Sequence, residues 1–154
     1  MRTLVIGLGN PILGDDAVGC RVAQMVEETL AARGKHEVDV EQFYRGGIAL
    51  MERLVDYDRA LIIDSIQGLG GEPGSLYSME LQDLPTLTAD SPHDTSLKAA
   101  IELGRKLGAH LPETIDILAV EIRTTMEFSE TLSAPVESSI PEMVKRALEW
   151  IEKA

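Results

Sequence analysis

The sequence predicts an α/β protein, a three-layer α/β/α sandwich on a mostly parallel twisted sheet of about five strands. Three observations carry that expectation. Short apolar runs alternate along the chain with segments whose apolar residues recur every three or four positions. Two of the runs, Leu4-Val5-Ile6 and Ala60-Leu61-Ile62-Ile63, are unbroken by polar residues, as in strands covered on both faces. The first run meets Gly7-Leu8-Gly9-Asn10-Pro11 and then Asp15-Asp16-Ala17-Val18-Gly19, the order of a strand, a tight turn and a helix start.

The remaining elements follow in order. Val18, Val22, Val26 and Leu30 repeat every four residues, an amphipathic helix that Gly34 can end. Val38-Asp39-Val40-Glu41-Gln42-Phe43 alternates like a strand with one wet face, and Gly46-Gly47 turns it into a short helix through Ala49, Leu50, Leu54 and Val55. The run at residues 60–63 is a central strand that ends at Asp64, and Gln67 to Gly74 is a glycine-rich loop. Leu76-Tyr77-Ser78-Met79 reads as a strand near an edge, and residues 81–93 as irregular. Ser91-Pro92-His93-Asp94 has the form of a capping box, Ser91 as N-cap and Pro92 at the first helical position, before a helix carrying Leu97, Ala100, Ile101 and Leu107. Ile115 to Ile122 is a further buried strand. Ser139 and Glu142 bracket Pro141 as the start of a last helix through Val144, Leu148 and Ile151.

Composition narrows the function classes. A chain of 154 residues is expected to form one domain over 1–154 with a single good core. A formal net charge of −12 argues against a protein that neutralises nucleic-acid phosphates or docks on an anionic membrane. No run approaches membrane-spanning length, and the N-terminal apolar run is too short for a signal peptide. The single cysteine, Cys20, allows no internal disulfide and suits a reducing cytoplasm; apolar neighbours make it a structural thiol. A cytoplasmic monomer is the expectation, since no heptad or long apolar edge demands a partner.

Candidate chemistry gathers on three residues. Asp16 opens the first helix, Asp64 ends the central strand, and His93 stands in the first turn of a later helix. Carboxyl ends of strands and amino ends of helices share one crevice in an open α/β sheet. Two carboxylates and an imidazole suit a borderline divalent metal with open coordination positions, and the positive end of the helix favours the neutral imidazole that a ligand must be. The same placements also suit simple N-caps and a strand end, and His36 and His110 read as surface residues. Other chemistries lack their parts. Ile12 stands where the third glycine of a dinucleotide fingerprint belongs, and there is no phosphate-loop Gly-Lys-Ser/Thr and no Gly-x-Ser-x-Gly elbow. Asp15 and Asp16 are not a catalytic pair, because helical neighbours point about 100° apart.

These residues resemble the nickel–iron hydrogenase maturation endopeptidases over almost the whole chain. The resemblance rests on Gly7-Leu8-Gly9-Asn10 with Leu13 and Asp15-Asp16-Ala17-Val18-Gly19, on Gly46-Gly47, on Leu61-Ile62-Ile63-Asp64-Ser65-Ile66, on Pro73-Gly74 and on Ser91-Pro92-His93. It implies a phosphorylase/hydrolase-like sandwich and a nickel-type metal bound by Asp16, Asp64 and His93. The first of these is commonly glutamate in the family; here it is one methylene shorter. Arg45 stands where an acidic residue is often found and Ile48 where a threonine is familiar, in a loop that meets the substrate.

The implied activity is removal of a C-terminal extension from the precursor of a nickel–iron hydrogenase large subunit. The nickel belongs to that substrate, and the protease reads it through its own ligands; cadmium or zinc can occupy the ligands in isolation. The family is filed among aspartic-type peptidases, yet no catalytic residue beyond the metal ligands follows from the sequence. A metal-polarised carbonyl attacked by carboxylate-activated water is chemically reasonable. A non-catalytic nickel-sensing chaperone for the same precursor would use the same ligands. Peptidyl-tRNA hydrolases share the Gly-Leu-Gly-Asn-Pro turn, but the catalytic histidine of their following segment is missing from Asp-Asp-Ala-Val-Gly.

Overall fold

The computed structural model describes residues 1–84, 92–123 and 129–153, and side chains in the helix that begins at Pro92 from Leu97 onward. Among the described residues five strands, β1 (Thr3–Leu8), β2 (Val38–Phe43), β3 (Arg59–Ile66), β4 (Leu76–Glu80) and β5 (Thr114–Glu121), form one sheet in the order β2-β1-β3-β5-β4. All neighbours run parallel except the edge strand β4, which is antiparallel to β5. The helices α1 (Val18–Ala32), α2 (Gly47–Leu54), α3 (Pro92–Lys106) and α4 (Ala134–Glu152) complete the mostly parallel α/β architecture expected. Strand alternation sorts the core into two layers. Leu4, Ile6, Ile62 and Ile117 pack with α2 and α3 on one face; Val5, Leu61, Ile63 and Val120 pack with α1 and α4 on the other. No helix among the described residues is long and apolar enough to cross a membrane.

Three expectations need correction. The last helix begins not at Ser139–Glu142 but at Ala134, behind an extended Ser133, and Pro141 lies inside it. An interior proline removes one backbone hydrogen bond and costs about 3 kcal/mol. Burial of Val136, Ile140 and Met143 stabilises by roughly 1.5–3 kcal/mol per side chain and outweighs that cost. Tertiary packing therefore overrides the local stop signal. Leu107 does not pack with α3: the helix ends at Lys106, and Leu107 is 77% exposed as the chain turns through Gly108. Asp64 does not end its strand. Pairing with β5 continues through Asp64↔Ala119, Ser65↔Val120 and Ile66↔Glu121. The proposed N-cap Ser91 lies outside the described residues, while Pro92 does open α3.

The strand order places a crevice. From β1 the chain crosses one way to β2, while β3 pairs on the other side of β1, so the carboxyl ends of β1 and β3 meet at a topological switch point. Gly19 lets α1 sit directly on that corner. A Cβ there would lie 2.3 Å from Ile63 O and 2.5 Å from Leu8 O, contacts no larger residue can make. The helix is thus pressed onto both strand ends, and the turn before it is carried to the crevice.

Candidate metal centre

The residues between β1 and α1 form a short 3-10 turn, Gly14–Ala17, rather than the first turn of the helix itself. Neither Asp15 nor Asp16 caps α1, whose N-cap has no side-chain hydrogen bond. The two carboxylates diverge, as their adjacency requires. Asp15 is buried and reaches the start of α4, accepting hydrogen bonds from Ser133 N–H at 2.6 Å and Ser133 Oγ at 2.7 Å. A charge at the amino end of α4 also opposes the helix dipole favourably. Asp16 turns the other way, into the crevice. Its Oδ2 accepts from Asn10 N–H at 2.8 Å and its Oδ1 from Ser65 Oγ at 3.0 Å.

Gly9 makes that turn possible. Its φ is +153°, and a Cβ would lie 1.9 Å from Asp16 O. The glycine-rich corner therefore serves close backbone approach, bringing Asp16 against the end of β1. The Gly9 N–H is already committed to Phe43 O at 3.0 Å, so it does not wait for a phosphate.

Asp64 arrives from β3, two residues before the strand ends. Its Oδ1 accepts from Ser65 N–H at 2.7 Å. Asp16 and Asp64 line one cleft of about 350 Å³, together with Gly9, Asn10, Leu13, Tyr44, Ser65 and Gln67. Both carboxylates are half-buried. Beneath the cleft Cys20 is buried, its Sγ 3.6 Å from Gly7 O and 3.5 Å from Gly9 O. Burial first, then the charges of Asp16 and Asp64, push its thiol pKa up. A raised pKa makes Cys20 a poor nucleophile, the structural thiol expected.

The third expected ligand is placed by its backbone alone. His93 belongs to the first turn of α3, and its side chain lies outside the described residues. Leu97, one helical turn further on, lines a small cavity together with Asp64, Ser65 and Ile66, so the start of α3 borders the same end of β3. Among the described residues no three His, Cys, Asp or Glu side chains converge. What the described part contains is a pair of carboxylates in one cleft. Carboxylate oxygens can accept a cation as well as hydrogen bonds. Hard and borderline divalent ions accept such oxygens. Of the other histidines, His36 is exposed, and the exposed His110 pairs at 3.1 Å with Asp58, which precedes the amino end of β3 whereas Asp64 lies near its carboxyl end.

Sequence reasoning missed Ser65, Asn10 and Tyr44 as parts of this cleft. Ser65 follows Asp64 directly and Asn10 follows the last glycine of the turn, but neither type is a strong metal ligand. Tyr44 is 69% exposed yet lines the cleft, just before the Gly46-Gly47 start of α2. Ile48, 55% exposed, follows in the first turn of α2.

A family model described as HycI, hydrogenase maturation protease, matches residues 20–150. The hydrogenase 2 maturation protease of Escherichia coli K12 is 30% identical over 156 aligned residues, covering 98% of this chain and 88% of that protein. The structure of the hydrogenase maturating endopeptidase HybD from E. coli superposes with a TM-score of 0.80 at 24% identity, over 99% of this chain and 93% of that one. A hydrogenase 2 maturation peptidase from Thaumarchaeota archaeon SCGC_AB-539-E09 superposes at 0.68 with 26% identity, over 98% of each chain. A family match over most of the chain, joined to a relative of 30% identity along nearly its full length, assigns this chain to the hydrogenase maturation proteases.

Proposed function

We propose that this protein removes the C-terminal extension of the nickel-loaded precursor of a nickel–iron hydrogenase large subunit, and that it reads the substrate's nickel through Asp16, Asp64 and His93. One observation supports the reading above the others: Asp16 and Asp64, far apart in sequence and on different elements, line the same cleft at the carboxyl ends of β1 and β3. The nickel is part of the substrate, so the cleft needs open coordination positions rather than a closed cage. The bond to be cut would be polarised by that metal, with a carboxylate accepting the proton of the attacking water. On this reading the protease is aspartic in type only in that its carboxylates are essential. Tyr44 lines the cleft, Arg45 and Ile48 are exposed within four residues of it in sequence, and these are the side chains we assign to contact with the precursor.

The test is incubation with nickel-loaded precursor and mass measurement of its C-terminus. Shortening of the loaded precursor, with the metal-free one left intact, is expected. Asp16→Asn should stop processing and leave the fold in place, whereas Asp16→Glu should retain it. Cd²⁺ or Ni²⁺ titration should lose specific binding in His93→Ala and in Asp64→Asn. Binding of the loaded precursor without any shortening would instead favour the non-catalytic chaperone. We also expect a cytoplasmic monomer of one domain that binds no nucleic acid, with light scattering as the check on the monomer.

A further inference from the structure

We propose that Ser65 is a positioning residue that sets the separation and orientation of the two cleft carboxylates. Adjacent residues of a strand point to opposite faces of the sheet. Asp64 therefore stands on the α2–α3 face, with Ile62 and Ile66, while Ser65 stands on the α1–α4 face, with Leu61 and Ile63. Asp16 comes from the turn before α1, so the two carboxylates approach the cleft from opposite layers. Something must tie them across the edge of the sheet.

Ser65 has the two donors that do this. Its Oγ donates to Asp16 Oδ1 at 3.0 Å, and its backbone N–H donates to Asp64 Oδ1 at 2.7 Å. The other oxygen of Asp16 is held by Asn10 N–H at 2.8 Å, so that carboxylate is fastened at both ends. Because β3 continues past Asp64 in register with β5, with Ser65 opposite Val120, the residue that carries both donors is itself fixed by the sheet. Such hydrogen bonds behind a ligating carboxylate orient it, and their loss weakens metal binding. The assignment rests on the metal reading proposed above, and its test separates the two.

Cd²⁺ is titrated calorimetrically into the parent, Ser65→Ala, Ser65→Thr and Asp64→Asn, and the thermal midpoint of each metal-free protein is measured. Ser65→Ala is expected to weaken Cd²⁺ about tenfold or more. Ser65→Thr keeps the hydroxyl on a β-branched side chain suited to a strand and is expected to restore parental affinity. The metal-free midpoints of the serine variants should match the parent. A parent that fails to bind, or an Asp64→Asn that binds like the parent, removes the metal reading and this assignment with it. A parent that binds, an Asp64→Asn that does not, and a Ser65→Ala as tight as the parent overturn the role of Ser65 alone. Weakened binding that Ser65→Thr does not restore, with a lowered midpoint, also overturns it by showing a merely structural residue.

Discussion

Replacing Gly9 by alanine strikes the backbone contact on which the cleft is built. The new Cβ would lie 1.9 Å from Asp16 O, whereas ordinary contact begins at 3.4 Å, so one side must retreat by about 1.5 Å. The atom it meets is backbone, which cannot swing aside as a side chain would. The position also holds φ at +153°, which a residue with a Cβ reaches only under strain of about 1–3 kcal/mol. Overpacking against the 3-10 turn adds about 1–3 kcal/mol. Together they lower stability by about 2–6 kcal/mol, a fall in midpoint on the order of 10 °C for a chain of this size. The retreat also exceeds the roughly 0.5 Å tolerance of a working site. A displacement of about 1 Å costs on the order of a hundredfold in activity, and that is the loss expected in processing. Urea denaturation measures the first effect, and mass measurement of the precursor the second. Gly34→Ala is the control. Its φ is +69° with nothing within 4 Å, so it should cost only the about 1–2 kcal/mol of left-handed strain and leave processing unchanged. A Gly9→Ala protein with parental midpoint and parental processing would refute the close-approach argument.

Other perturbations probe other parts. Asp15→Asn should lose about 1.5–3 kcal/mol in urea denaturation, because one oxygen of a buried carboxylate that accepts two bonds from Ser133 becomes an amide, while Cd²⁺ affinity should stay parental. Tyr57 is pushed up from 10.0 to about 12, by burial first and then by its hydrogen bond to Asp39. Its folded pKa lies above its unfolded one, so its contribution is complete below pH 10 and is lost as pH rises from about 10 to 12; Tyr57→Phe should flatten stability across that window. Arg59→Met should loosen the end of α4 by about 2–3 kcal/mol, since the guanidinium stacks 3.8 Å over the Trp150 ring and donates to Trp150 O and Ile151 O. Trp150 is the single tryptophan, so a red shift of its emission reads the change directly.

The periodicities of the chain were enough for the layers, because a strand buried on both faces and a helix with one apolar stripe write different spacings. They failed at α4. There Pro141 is the strongest local signal and predicts a helix start, while burial of Val136 and Ile140 upstream decides the outcome. Half of the candidate site was legible for a similar reason. That Asp16 and Asp64 share a crevice follows from their lying near the carboxyl ends of β1 and β3, but their support does not. Ser65 matters only because β3 continues beyond Asp64, and that continuation is set by β5, about fifty residues later in the chain. Likewise, adjacency showed that Asp15 and Asp16 must diverge, but not that Asp15 would close on Ser133 at the far end of the sequence.

The strand order carries a consequence for the chain as it is made. Among the described residues β5 is the last strand of the sheet in sequence, yet it lies between β3 and β4, both synthesised earlier. Until residues 114–121 have emerged, the edge of β3 that carries Leu61, Ile62 and Ile63 has no partner, and β4 has none at all. An unpaired apolar edge of this kind is a template for pairing with another nascent chain. Ribosome pauses placed between β4 and β5 should therefore send more of the product into aggregates than pauses after residue 121, and a chaperone that shields strand edges should act chiefly in that interval.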